Sequence, residues 1–225
     1  MNFYNIQLSH DPKIIGVKNG IYQVELIEKM YNSVTFSQFK NMFFNQNLEI
    51  DKIPSFEFEF YFRLLKGAKE TDFISFCPHL NHCHFLINEN IQDIFSNFKI
   101  QPFTLLNANI FNETKQTTLK KFRMFYSGFQ SWEIVNFEET VFNYGGFGNI
   151  PISEHTFSNI DELKSFKGIP KLKVLSLTNK FDNSLDLFYS RLGGLFVSER
   201  LKISIENALV NGIVFNNEIK VITNC

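Results

Sequence analysis

Leu195-Phe196-Val197-Ser198-Glu199-Arg200-Leu201 changes character at its centre. Three apolar residues suited to a strand give way to a serine suited to a helix N-cap. A glutamate follows in the first turn, where its carboxylate meets the positive end of the helix dipole. Ile205, Ala208 and Leu209 then continue an apolar series at helical spacing, and Asn211-Gly212 marks the C-cap before a strand at Ile213-Val214-Phe215. A second stretch reads the same way. Phe85-Leu86-Ile87 is followed by Asn88 as cap, Glu89 in the first turn, and Ile91, Ile94, Phe95 and Phe98 along a helix that ends before Pro102. The pair predicts an internal duplication, with units 85–98 and 195–210 in comparable places of one fold.

Working outward, Phe56-Glu57-Phe58-Glu59-Phe60-Tyr61-Phe62 alternates with period two and predicts a half-buried strand, four Phe inward and Glu57, Glu59 and Tyr61 outward. Thr35 and Gln38 fit a capping box opening a helix with Phe36, Phe39 and Phe43 on one face. Short strands are expected at Phe73–Phe76 and Lys173–Leu177. Phe122–Tyr126 and Trp132–Phe137 read as strands in a hairpin-like arrangement through Tyr126-Ser127-Gly128. Helices are expected from Ser158, as N-cap, to Phe166, with Ile160, Leu163 and Phe166 inward, and from Asp182 to Tyr189. Strands and helices intersperse without the regular alternation of a doubly wound sheet. The fold class is therefore α+β, a single two-lobed domain. Residues 1–70 form an N-terminal extension or lobe and 71–225 the α+β region.

The 225 residues carry 22 Lys plus Arg against 23 Asp plus Glu, a net charge of −1. That balance supplies no long-range field for gripping nucleic acid. Only 4 of the basic residues are Arg, the side chain suited to bidentate phosphate recognition. Phenylalanine is the outlier, 28 residues against 7 Tyr and 1 Trp. Rings beyond what the core holds would form an apolar surface patch, the mark of a binding face. Three cysteines, Cys77, Cys83 and Cys225, are too few for a disulfide scaffold. The start, Met1-Asn2-Phe3-Tyr4-Asn5, has no signal-peptide pattern, and no apolar stretch is long enough to span a membrane. The expected setting is cytoplasmic, with neither nucleic acid nor membrane as partner.

Cys77-Pro78-His79-Leu80-Asn81-His82-Cys83-His84 places five metal-capable side chains in eight residues. Zinc takes such ligands, but the segment lacks knuckle spacing and a second ligand pair. On a strand, His82 and His84 would share a face, which allows two ligands and not four. The expectation is no metal and no cofactor, with Cys77, His79, His82, Cys83 and His84 as the candidates should one bind. Tyr144-Gly145-Gly146-Phe147-Gly148-Asn149 lacks the spacing of a nucleotide-binding loop and reads as a surface loop. Ser153-Glu154-His155 sets triad residue types side by side, whereas working triads converge in space. Glu138-Glu139 and Asp161-Glu162 read as solvated surface. No enzyme signature survives.

The C-terminal motif Val197-Ser198-Glu199-Arg200-Leu201, with Gly212-Ile213-Val214-Phe215 after it, resembles the ending of bacterial immunity proteins of polymorphic toxin systems, immunity protein 11 and its relatives. Asp72–Phe76 with Leu86–Glu89, and Trp132–Phe142, resemble earlier parts of the same family. Asn136 and Thr140 stand where the family tends to have Asp and Ser. The resemblance implies a non-catalytic protein that neutralises a cognate toxin by direct binding. Its motif residues Ser198, Glu199, Arg200, Leu201, Gly212 and Phe215 are structural and do not name the toxin-contacting surface. The alternatives are a metal-dependent or small-molecule enzyme using Cys77–His84, or a structural or scaffolding protein.

Overall fold

The computed structural model describes residues 1–18, 20–44, 58–146 and 151–223. In chain order the elements are β1 (Phe3–Leu8), α1 (Pro12–Ile15), β2 (Val24–Leu26), α2 (Ser33–Phe43), β3 (Glu59–Leu64), β4 (Phe73–Ile74), β5 (Phe76–Cys77), β6 (Cys83–Ile87) and α3 (Glu89–Ser96). There follow β7 (Thr104–Asn112), β8 (Thr117–Tyr126), β9 (Val141–Tyr144), β10 (Ser153–His155) and α4 (Ile160–Ser165). The chain closes with β11 (Lys171–Leu177), β12 (Leu187–Ser190), β13 (Gly194–Ser198), α5 (Glu199–Asn207), β14 (Ile213–Asn216) and β15 (Lys220–Thr223). This is α+β with the emphasis on strand.

Two compact units divide the chain. One comprises residues 8–128 and 204–214, the other residues 1–7, 129–203 and 215–225. Residue 70, where the sequence suggests a boundary, falls inside the first. In that unit the sheet order is β4-β6-β8-β7-β3-β2-β5. The two edge strands, β4 and β5, are separated in sequence by Ser75 alone. Phe73 and Ile74 pair with Ile87 and Leu86 of β6, while Phe76 and Cys77 pair with Val24 and Glu25 of β2. One short segment thus joins both edges, and the sheet closes into a barrel, which removes unpaired edge groups. Ser75 is the hinge of this closure: its carbonyl accepts from the amides of Gln23 and Val24, and its amide donates to Gln23 Oε1 at 3.2 Å.

Alternation along the strands fills the barrel. Phe58, Phe60 and Phe62, then Leu106, Ala108 and Ile110, then Phe122, Met124 and Tyr126 all point inward in one cluster. Helix α2 adds the fully buried Phe39 and Phe43 to that cluster, with ring centroids 5.1 Å from Phe58 and 5.3 Å from Phe60 respectively. Outside, α3 lays Phe95 against Phe125 at 5.7 Å, beside the Phe73–Phe85 contact at 4.8 Å. In this unit the phenylalanines therefore fill two layers, one inside the barrel and one beneath α3, while Phe3, Phe137, Phe142, Phe157, Phe181, Phe188 and Phe196 belong to the core of the other unit. The expected inward face of 56–62 holds for Phe58, Phe60 and Phe62, whereas Phe56 and Glu57 lie outside the described residues.

In the second unit β13 lies between β12 and β1, antiparallel to both, as β6 lies between β4 and β8. Strand β11 lies between an antiparallel β9 and a parallel β15, as β3 lies between β2 and β7. Pairing of Phe188 with Phe196 and of Leu187 with Val197 repeats that of Ile74 with Leu86 and of Phe73 with Ile87. The capped helices begin where the sequence places them, after Asn88 and Ser198. The repeat thus extends beyond the strand-cap-helix units to the strands flanking them. One difference stands out: the position of β8 is taken by the first strand of the chain, β1.

Several expectations are corrected. Helix α2 begins earlier, on Asn32, whose Oδ1 accepts from Thr35 N at 2.9 Å, so Thr35 is no cap. Trp132–Ile134 is a 3₁₀ turn capped by Ser131, and only Val135 bridges a strand, at Leu177. Strand β8 forms its hairpin with β7, a nine-residue strand the sequence reading passed over because Asn107, Asn109 and Asn112 dilute its apolar pattern. Helix α4 is capped by Asn159 instead of Ser158, because Asn159 Oδ1 accepts two amides at 3.0 Å. Its expected inner residues Ile160, Leu163 and Phe166 do pack on the second core. Asp182–Tyr189 is no helix; a turn closed by Leu185 N on Asp182 O leads into β12, where cross-strand pairing with β13 overrides local helix preference. Helix α5 ends at Asn207, before a left-handed Leu209, so Gly212 is not its cap.

Gly212 is required for another reason. Its φ is +93°, and a Cβ there would sit 2.2 Å from the carbonyl oxygen of Phe73. Gly212→Ala is expected to destabilise by roughly 2 kcal/mol or more, through a backbone clash that no rotamer relieves. Urea unfolding of the variant checks this.

Candidate functional site

The family-like motif builds a buried latch. Asp186, fully buried at the start of β12, accepts from Ser198 Oγ at 2.6 Å and Arg200 Nη2 at 2.6 Å, and Arg200 Nε also donates to it. The Asp186 carbonyl takes Ser198 N at 2.7 Å. Ser198 Oγ in turn accepts from Leu201 N at 3.2 Å as the helix cap. The bond to Asp186 lifts the Arg200 guanidinium further above its ordinary range. In the other unit Asp72 occupies the same place: its carbonyl accepts Asn88 N at 3.2 Å and its Oδ1 accepts Asn88 Nδ2 at 2.7 Å. Glu199 is exposed and lies near Asn2 Nδ2 and Tyr4 OH at 3.4 and 3.5 Å, Leu201 is fully buried, and Phe215 is half-buried with the Lys202 ammonium 5.7 Å from its ring. These residues hold strand to helix and present no reactive group. Asp186 is the residue that sequence reading missed, because it lies twelve positions before its partner in a stretch read as helix. Asp186→Ala is expected to cost about 2–3 kcal/mol, and Ser198→Ala about 1–2 kcal/mol, both by chemical denaturation.

The Cys77–His84 segment fans out. Cys77 ends β5, Leu80 is sealed in the barrel core, and His82 occupies a left-handed turn position with φ 61°. Strand β6 begins only at Cys83, so His82 and His84 do not share a strand face as expected. Cys83 points into the core, where burial raises its thiol pKa well above the usual value. His84 sits against Phe125 at 5.8 Å, with Nε2 3.2 Å from the Ser127 carbonyl and 3.0 Å from Ser127 Oγ. Burial lowers its pKa to about 3, against an opposing contribution from the Ser127 carbonyl. Among the described residues no three His, Cys, Asp or Glu side chains converge as metal ligands. Cys225 lies outside them.

The remaining sequence candidates separate as well. Ser153 Oγ lies 2.8 Å from His155 Nε2 on one face of β10, but Glu154 points the opposite way and pairs with Lys173. Among the described residues no carboxylate is bonded to that histidine. Glu139 Oε2 accepts from Ser176 Oγ at 2.9 Å, Glu138 is exposed, and Asp161 and Glu162 occupy the first turn of α4. Gly145 and Gly146 take positive φ, while Phe147–Asn149 lie outside the described residues.

The concave feature sequence could not show lies on the barrel's outer face. A cavity of about 500 Å³ is lined by Ile27, Glu28, Lys29, Met30, Arg63 and Phe111, with Glu113 and Leu26 completing it. Arg63 holds Glu25 Oε2 through Nε at 3.0 Å and Nη2 at 2.6 Å. Phe111 stacks with Tyr61 at 6.4 Å. The adjoining Tyr31 is anchored by its hydroxyl, which accepts Tyr61 N and donates to the Glu59 carbonyl, each at 3.1 Å. Burial raises the Tyr31 pKa. A second hollow of about 430 Å³ shares Phe111 and Glu113. The result is an apolar floor inside a rim carrying both signs of charge.

No family model and no curated protein matches this sequence. Among the described residues no helix is long and apolar enough to cross a membrane.

The depressed His84 pKa has a consequence for stability. An unfolded histidine titrates near 6.5 and this one near 3, so below about pH 6.5 the unfolded chain binds the extra proton. This group's contribution is fully present above pH 6.5 and is lost as pH falls toward 3, at no more than about 1.4 kcal/mol per pH unit. Unfolding curves at pH 7.5 and 5.0 should show the loss, and His84→Gln should reduce it.

Proposed function

We propose that this chain is a non-catalytic immunity protein that neutralises a cognate bacterial toxin in the cytoplasm by direct binding. The C-terminal resemblance motivates the reading. The observation that carries it is the cavity over Phe111 and Met30, whose apolar floor and mixed-charge rim have the anatomy of a protein-binding surface. A net charge of −1 favours such a mixed contact over bulk attraction to a basic partner. Met30 is the anchor on this face, a flexible thioether side chain 46% exposed.

Co-expression with the toxin encoded by the neighbouring gene should restore growth, and the two proteins should elute together on gel filtration. Met30→Asp should leave unfolding within about 0.5 kcal/mol of the parent while weakening the complex about tenfold or more. Absence of both rescue and complex sinks the proposal. Rescue without a complex would replace it with an enzyme that reverses the toxin's damage.

A further inference from the structure

Strands β2, β3 and β7 set one row of side chains across the outer face of the barrel. Glu25 pairs with Arg63, and Arg63 with Phe111. Arg63 turns to Glu25, donating to its Oε2 through both Nε and Nη2, and β2 lies on the opposite side of β3 from β7 and Phe111. Glu25, and to a lesser extent Glu113, hold this guanidinium above its ordinary range. The charge of Arg63 is therefore spent within the row. Among the described residues no cation lies over the Phe111 ring.

Phe111 is also where the two hollows meet. The larger sets Ile27 and Met30 beside the ring, the smaller sets Thr117 and Thr118 there, and Glu113 belongs to both. Among the described residues of the smaller hollow, Glu113 alone is charged. Around the larger, Glu25, Glu28 and Glu113 stand against Arg63 and Lys29, which leaves one negative charge in excess. Glu28 and Glu113 are exposed, and their side chains accept no hydrogen bond among the described residues. Backbone fixes the ring between them. Phe111 pairs with Arg63 on one side and Thr118 on the other, and stacks on Tyr61 with the planes 18° apart.

A ring and a carboxylate side by side favour a cation, the ring through its quadrupole and the carboxylate through charge-assisted hydrogen bonds. The floor sets a second condition, since Ile27, Met30 and Phe111 gain only when an apolar stem covers them. A hydrated metal ion fails that condition. Lysine and arginine meet it, and arginine meets both conditions best. Its weakly hydrated planar head stacks on an aromatic face while its edge still donates two parallel bonds to a carboxylate. Met30 adapts to such a stem, being unbranched and flexible. Arginine is also among the residues on which protein contacts concentrate their energy. We infer that Phe111, Met30, Glu28 and Glu113 form a receptor for one arginine side chain displayed by a partner protein, its stem over Met30 and Phe111 and its guanidinium at the two carboxylates. In naming the toxin as that partner, the inference rests on the immunity reading.

With only 4 methionines in the chain, carbon-13 methyl labelling gives Met30 a signal of its own, identified by its loss in Met30→Leu. The full chain is titrated with Nα-acetyl-arginine N-methylamide, and in parallel with the lysine and citrulline analogues, citrulline having the shape of arginine without its charge. The Met30 signal should shift and saturate with arginine, respond more weakly to lysine, and stay still with citrulline. Glu113→Gln should weaken the arginine response about tenfold, through loss of a charge-assisted contact, with unchanged thermal unfolding. A still signal with arginine overturns the receptor, and so does an equal response to citrulline. An equal response to lysine overturns the arginine assignment, and an undiminished one in Glu113→Gln overturns the role of Glu113. On gel filtration with the toxin, Glu113→Lys should weaken the complex about tenfold or more. A complex indifferent to Glu113→Lys sinks this inference and leaves the immunity reading standing. No complex with the unaltered chain sinks that reading, and the Met30 titration then decides the receptor by itself.

Discussion

An aspartate placed ahead of a strand and bonded to the residue that caps the next helix is the constraint on which both units are built. Asp186 meets Ser198 and Arg200, and Asp72 meets Asn88. The bonds fix where the second strand stops and at what register it pairs with the first, since a shift of one residue would turn every side chain to the opposite face. Burying the Asp186 charge requires paired donors, and Ser198 and Arg200, on either side of Glu199, supply them from one helix start. The V-S-E-R-L pattern is therefore an architectural sequence: valine paired in the strand, serine as cap and donor, arginine as counter-charge, leucine into the core.

Closure of the barrel follows from how little chain separates β4 from β5. With Ser75 between them, one segment joins both edges of the sheet, and Gln23 locks it from the facing strand. A barrel of this kind accepts bulky side chains at alternate positions, which explains why phenylalanine replaces the usual aliphatics. With the core holding most of the rings, the aromatic side chains that stay half-buried at the surface, such as Phe111, Phe129, Trp132 and Tyr189, fall where charged groups also gather.

What the sequence determined is local. Period-two alternation at 58–62, the strand-cap-helix changeover after Ile87 and after Val197, and the inner face of α4 are each decided within a few residues by side-chain periodicity and by the orphan amides of a helix start. Even the duplication was legible, because both copies need the same cap chemistry. The tertiary structure decided whatever depended on a distant partner. Asp182–Tyr189 carries helix-compatible residues, yet β13 recruits its second half as a strand. Strand β7 hides behind its asparagines until β3 and β8 pair with it. The fate of the Cys77–His84 side chains and the cavity over Phe111 share this origin. Each depends on which residues far apart in the chain arrive at one place, and pairing energy between distant segments is not written in either segment alone.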